Sequence, residues 1–201
     1  MQTAPGPDGH LRCAWCLATP QYLAYHDTEW GFPVTDDRRL FEKLCLEGFQ
    51  AGLSWRTILE KRENFRRAFA GFDIDTLAGW GAPEVDRLLL DAGIVRHRGK
   101  IESVLNNARR TQELIRAEGS LAAWIWRHEP AVPEQAAHQG VTTSPTSVQL
   151  SKQLKKRGFS FVGPTTVHAF LQAMGLINDH AAGCVVHARV EAARAALERP
   201  G

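Results

Sequence analysis

Residues 157–166 read Arg157-Gly158-Phe159-Ser160-Phe161-Val162-Gly163-Pro164-Thr165-Thr166. Upstream, Ser147 to Arg157 has the pattern of a basic helix stopped by Gly158. Downstream, Pro164 opens a helix over TTVHAFLQAM that Gly175 closes. Between them lie a glycine at each end and an apolar plug, which predicts a short hairpin joining two helices. Only FSFV, 159–162, has β character in the whole chain, and it is short. A glycine turn that leads into a helix N-terminus exposes backbone N–H groups, an anion site. Such a helix–hairpin–helix holds DNA phosphates without reading sequence. Lys152, Lys155, Lys156 and Arg157 flank it, and a second basic cluster, Arg96, His97, Arg98 and Lys100, follows a glycine turn at Gly93. One charge cluster alone reads as a solvated face. Two, each joined to a glycine turn, point to DNA, with contacts expected at Lys156, Arg157, Gly158, Phe159, Gly163 and Thr165.

Outward from the hairpin the chain reads as helix after helix. Thr35 is the expected N-cap of a helix from about Asp36 to Phe49, with acids in its first turn. Ser54 caps WRTILEKRENFRRAF, whose Ile58, Leu59, Phe65 and Phe69 recur at helical spacing. Asp73 or Asp75 begins a short helix through Leu77. Pro83 opens another that stops at Gly93, Lys100 to Ala117 forms a long one closed by Gly119, and Ser120 caps LAAWIWRH. Pro130 to Pro145 is expected as a loop. Asn178 to about Val186 and Glu191 to Leu197 are the last expected helices. The fold class is therefore all-α. Residues 1–11, rich in Pro and Gly at their start, are expected as a disordered tail, 12–188 as a single domain of two α-helical lobes, and 189–201 as a C-terminal helical tail.

The chain has 201 residues, enough for one core. At 44% hydrophobic and 23% charged residues it is globular. A net charge of +2 is too small to establish a polyanionic partner, so the distribution of charge decides. No apolar run approaches the ~20 residues of a membrane span, and MQTAPGPDGH lacks the apolar centre of a signal peptide. The expectation is a cytoplasmic protein with reduced cysteines, no membrane partner and no need to be more than a monomer.

Two further groups carry chemistry. In Cys45 to Trp55, CLEGFQAGLSW, Glu47 sits among apolar neighbours, and Phe49 and Trp55 bracket Gln50 and two glycines. A buried carboxylate is costly unless paired, hydrogen-bonded or used. Beside small residues and flat aromatics it would close a pocket for a flat polar or cationic ring. The plainer alternative is a wet helix face with Trp55 in the core. His180 and Cys184, four apart on a predicted helix, share a face, and Cys13 and His26 lie near the other chain end. Two Cys and two His make a closed structural zinc set. Cys16, in a C-x-x-C with Cys13, and His187, in a C-x-x-H with Cys184, compete for the same ion, and unligated thiols remain open.

With these groups placed, the chain resembles the bacterial 3-methyladenine DNA glycosylase I family over about residues 12–184. The motifs are Tyr22 to Gly31 (YLAYHDTEWG), Leu46 to Trp55 (LEGFQAGLSW), Asp91 to Lys100 (DAGIVRHRGK), Lys155 to Thr166 (KKRGFSFVGPTT) and Asn178-Asp179-His180. The resemblance implies a helix–hairpin–helix DNA glycosylase fold. It implies one structural zinc ion joining the N- and C-terminal segments through Cys13, His26, His180 and Cys184. It assigns Glu47 as the catalytic carboxylate that hydrogen-bonds the excised base, Trp55 as the aromatic that stacks on it, and Tyr22 and Tyr25 as further pocket walls. Gly48, Gln50 and Gly52 shape the pocket, and Phe49 takes no chemical role. The substrate it implies is double-stranded alkylated DNA, from which 3-methyladenine is released by hydrolysis; no protein partner is implied. Asp179 is expected either to face the pocket or to orient His180. No lysine is expected in the pocket, which implies a monofunctional glycosylase without strand cleavage. Two other readings compete: a zinc-stabilised DNA-binding module without catalysis, which would not need Glu47 with Trp55, and a zinc hydrolase, which would need an open coordination position.

Overall fold

The computed structural model describes residues 1–131 and 140–201. Two short strands, β1 (Thr3–Pro5) and β2 (Leu11–Cys13), precede a 3-10 turn at Ala14–Ala18. There follow α1 (Pro20–Thr28), α2 (Asp37–Gln50), α3 (Trp55–Glu60), α4 (Arg62–Ala68), α5 (Ile74–Ala78), α6 (Ala82–Leu89), α7 (Arg98–Glu118) and α8 (Leu121–Trp126). The described part of the chain closes with α9 (Pro145–Lys156), α10 (Pro164–Ala173) and α11 (His187–Ala195). Residues 132–139 of the expected Pro130–Pro145 loop lie outside the described residues. No helix among the described residues is long and apolar enough to cross a membrane.

Helix α2 is the axis of the fold. Its Leu40, Phe41, Leu44, Leu46 and Phe49 are buried, and it packs on α3, α7, α8 and α10. Burial of this kind stabilises by roughly 1.5–3 kcal/mol per large apolar side chain. Asp36 caps α2, one residue beyond the expected Thr35, accepting from the Arg39 N–H at 2.8 Å. At its other end the buried Lys100 Nζ donates to the Phe49 carbonyl at 2.9 Å and to that of Ala51. A cation there satisfies carbonyls that the helix leaves open and opposes its negative pole. Of the second basic cluster, Lys100 is thus withdrawn from the surface, while Arg96, His97 and Arg98 stay exposed. Lys100 faces α2, His97 caps α7 by accepting from the Lys100 N–H at 3.2 Å, and Arg98 pairs with Asp86 at 2.6 Å. Ser54 caps α3 as expected, accepting from the Thr57 N–H at 3.2 Å.

The hairpin stands between α9 and α10, but FSFV forms no strand. Its backbone is held by side chains of α7 instead. Asn107 accepts from the Ser160 N–H at 2.9 Å and donates to the Ser160 carbonyl at 3.0 Å. Asn106 donates to the Gly158 carbonyl at 2.8 Å. Gly158 turns at φ +84°, a left-handed conformation that favours glycine.

Both chain ends differ from expectation. The tail expected to be disordered pairs as β1 with β2, because Asp8 and Asp27 both hold Arg12, at 2.6 and 3.0 Å. At the other end α11 begins at His187, so the expected boundary at 188/189 falls inside a helix. Val190 is fully buried, and Arg194 pairs with Glu129 at 2.9 Å. Residues 178–186, expected as a helix, form turns.

Asn107→Ala removes both partners of Ser160 and is expected to destabilise the fold by about 1–3 kcal/mol. Urea denaturation measures this; an unchanged midpoint would show that the hairpin is held by apolar packing alone.

Candidate active site

The last turn of α2, the aromatic segment before and within α1, and the start of α3 meet around a cavity of about 170 Å³. Trp15, Tyr25, Trp30 and Trp55 wall it, and Glu47 and Gln172 bring polar groups to it. A second groove of about 200 Å³ shares Glu47 and Gln50 with the first and reaches Thr165 and Thr166 at the start of α10. A path therefore runs from the hairpin helix to the aromatic cavity, with Glu47 lining both.

Glu47 is 5% exposed. Its Oε1 lies 2.8 Å from Lys43 Nζ, one helical turn earlier on α2. Lys43 also donates to the Tyr25 hydroxyl at 2.8 Å and stands 3.4 Å from the Trp55 ring centroid. Lys43 thus adjoins the cavity through three of its residues but is not among those that line it. Burial pushes the Lys43 ammonium below the ordinary lysine range, against the opposing charge of Glu47. Burial, reinforced by that same charge, holds the Tyr25 phenol well above its usual value. Tyr25 and Trp55 tilt toward each other, centroids 5.5 Å apart. The Trp55 indole N–H is buried without a hydrogen-bond partner among the described residues.

Tyr22 stands behind the wall, edge-on to Trp15 at 5.5 Å. Trp15, Trp30, Lys43 and Gln172 were not named from the sequence. The density of Trp, Tyr and His between Cys13 and Trp30 was the available signal for the first two. Asp179 takes neither expected position. It accepts from the Gln172 amide at 2.5 Å, while the His180 Nδ1 meets Asn178 Oδ1 at 2.9 Å.

On the hairpin, Lys155, Lys156 and Thr165 are exposed, and the N-terminus of α10 at Gly163 carries no side-chain cap. Phe159 is 4% exposed, so its side chain belongs to the core and not to a DNA-facing surface. The Arg157 guanidinium pairs with Glu118 and lies 5.1 Å from the Trp124 ring centroid, which draws it off the turn.

Cys13, His26 and Cys184 are buried together, their ligand atoms all within 4.8 Å of one another. His180 falls outside this group but adjoins it, its ring centroid 4.7 Å from that of His26. Neither Cys16 nor His187 joins. His180 and Cys184 reach the site from turns, not from one helix face. Asp27 holds the His26 Nδ1 at 2.8 Å, and Arg12 holds Asp27. Burial pushes the Cys13 thiol up to about 12 and the His180 imidazole down to about 3.

The sequence profile described as methyladenine glycosylase matches residues 15–187. The chain is 48% identical to DNA-3-methyladenine glycosylase 1 of Escherichia coli (strain K12) over 177 residues, covering 86% of this chain and 95% of that protein. It is 44% identical to the DNA-3-methyladenine glycosylase of Haemophilus influenzae over 177 residues, 86% and 96% of the two chains. Among solved structures, 3-methyladenine DNA glycosylase I from Staphylococcus aureus, described for its recognition of 3-methyladenine, superposes with a TM-score of 0.80 at 40% identity, covering 86% of this chain and 94% of that one.

Proposed function

The chain belongs to the methyladenine glycosylase family, and from that premise we propose that it flips 3-methyladenine out of alkylated duplex DNA and releases it by hydrolysis. The observation that carries this is Glu47, a buried carboxylate that lines both the aromatic cavity and the groove toward the hairpin helix. A DNA-binding module without catalysis would need neither the cavity nor a carboxylate within it. Four free, buried thiols fit a reducing cytoplasm.

A base methylated at N3 is cationic, so its bond to the sugar is already activated. Water adds to C1′ and gives up one proton to solvent, and the base departs as a neutral molecule with the bonding electron pair. The protein extracts the nucleotide and holds the base while positive charge moves onto the sugar. The Trp55 face attracts a cationic ring by roughly 0.5–2 kcal/mol. Glu47 accepts a charge-assisted hydrogen bond from the exocyclic amine. Only the part of these contacts that strengthens toward the transition state accelerates cleavage. Tyr25 supports the pocket through Lys43 and Trp55. Lys43 Nζ is held by Glu47 and the Tyr25 hydroxyl, and we read the reaction as monofunctional.

The cysteine–histidine cluster supports a structural zinc ion. The Cys184 Sγ to His26 Nε2 distance is 3.6 Å, and a tetrahedral site with Zn–S of about 2.3 Å and Zn–N of about 2.0 Å has an edge of about 3.5 Å between those atoms. His26 and His180 each have Nδ1 engaged by a neighbour, which orients Nε2 as the ligand nitrogen. Cys13, His26, Cys184 and the adjoining His180 would hold the ion, and it would tie β2 and α1 to the 180–184 turn.

Incubation with methylated duplex DNA is expected to release 3-methyladenine. Glu47→Gln and Trp55→Ala are each expected to lower kcat/KM about 10- to 100-fold. Borohydride should trap no covalent DNA adduct; a trapped adduct would make the enzyme a lyase as well. Lys156→Gln is expected to weaken DNA binding alike on any sequence and to reduce the slope of log K against log salt by about 1. A strong chelator should lower the melting temperature and expose Cys13 and Cys184 to thiol reagents, with zinc restoring both. An identical melting temperature in metal-free protein would remove the zinc reading.

A further inference from the structure

A cation already stands against the carboxylate and one aromatic wall of the base pocket. Lys43 Nζ is 3.4 Å from the Trp55 centroid, 2.8 Å from Glu47 Oε1 and 2.8 Å from the Tyr25 hydroxyl. Helix stability does not account for it. Lysine placed four residues before glutamate is the weaker orientation of such a pair, and a buried ion pair contributes little net stability. The geometry instead matches the two contacts a methylated base would make, a π face and a carboxylate. We propose that Lys43 is a resident cation that engages Glu47 and a Trp55 face in the free protein and competes with a cationic base for both. This rests on the base-pocket reading above.

Two positive charges a few ångströms apart repel strongly in a buried site, so the ammonium has to yield when a cationic base enters. Lys43 also lines a separate small groove with Glu29, Arg39, Glu42, Arg62 and Arg66. The acids there are already paired, Glu29 with Arg62 at 2.6 Å and Glu42 with Arg66 at 2.8 Å. With no anion to retreat to, Lys43 yields by losing a proton to solvent, and the base takes over the charge on Glu47. One cation enters and one proton leaves. A neutral base offers Glu47 no charge in exchange, so the resident ammonium sharpens selection against normal adenine.

Charged and titratable groups surround Lys43 from several elements. Glu47 and Tyr25 touch it, and Glu29 and Arg62 stand next, with Arg39, Glu42 and Arg66 around the cavity. Tyr25 is held neutral by burial. The burial of Glu29 is outweighed by its Arg62 partner, so it stays below the usual carboxylate range, and that of Arg62 is outweighed by Glu29, so it stays charged. Burial moves Lys43 itself toward the working pH. The ligand binds the deprotonated form, so affinity rises as pH rises toward the Lys43 pKa and levels off above it.

The test is calorimetric titration with 3,9-dimethyladeninium, a permanent cation without a sugar, at pH 7.5 and 9.5. Wild type, Lys43→Met and Lys43→Gln are compared, and the Gln variant keeps a polar partner for Glu47 should the Met variant fold poorly. At pH 7.5 the variants are expected to bind about tenfold tighter or better, because no resident cation has to yield. Wild-type affinity should rise with pH, by up to about tenfold per unit, and its binding enthalpy should track the buffer's ionisation enthalpy as about one proton is released. The variants should show neither effect. Variants that bind no tighter, or a wild type that binds independently of pH, would overturn the proposal. If none of the three proteins binds this cation or neutral 3-methyladenine, the base-pocket reading itself fails and the proposal falls with it.

Discussion

A carboxylate buried in the last turn of a helix is the constraint on which the rest of this structure depends. Glu47 lies three residues from the end of α2, where the helix already presents its negative pole. Two buried lysines offset that charge from different directions. Lys43 meets the carboxylate itself, and Lys100 reaches across from α7 to the carbonyls of Phe49 and Ala51. Lys100 also fixes the path of the chain beyond the helix, where Gly52 turns at φ +78° and Ser54 restarts it as α3. That path aims Trp55 back at Glu47. Cavity wall, carboxylate and capping cation are thus one device, and none of the three has its place without the others.

A second chain of charges performs a similar task for the cysteine–histidine cluster. Asp8 and Asp27 grip Arg12 from both sides, and Asp27 holds the His26 ring. The N-terminal hairpin is therefore the outer end of the support for His26. Its sequence reads as a disordered tail because Pro and Gly signal turns and disorder alike. The partner that decides between the two, Asp27, lies on α1 and is invisible to local pattern. The structure does not place His180 in the group that Cys184 forms with Cys13 and His26. A spacing of four suits a helix face, but here two turns bring the residues inward.

Helices were legible wherever apolar periodicity ran long, as in α2 and α7, and wherever Ser54, Ser120 or Pro164 marked a start. Their interior contacts were less so. Phe159 and Arg157 lie in a motif whose backbone binds anions, and sequence alone does not say which side chains face out. One turns into the core and the other toward Glu118 and Trp124. The two buried lysines were the least legible of all. Lysine is almost never fully buried unless paired, so Lys43 reads as the wet side of its helix and Lys100 as part of a basic patch. Only tertiary structure supplies the carbonyls, the carboxylate and the aromatic face that make their burial tolerable.

The position of Lys43 also bears on where discrimination has to arise. The hairpin offers backbone N–H groups and exposed lysines, which suit phosphates and would carry no information about the base. Selection therefore falls to the pocket. 3-Methyladenine differs from adenine by one methyl group and one positive charge. A pocket reads a methyl group for only about 1–3 kcal/mol, a thin margin against a large excess of undamaged adenine. Charge has to supply the remainder. A pocket with Glu47 alone would attract any hydrogen-bond donor that reached it, the amine of normal adenine included. Placing an ammonium against that carboxylate sets a threshold that a neutral amine does not meet and a cation does. The buried ion pair contributes little to the stability of α2; its consequence is for which base the pocket admits.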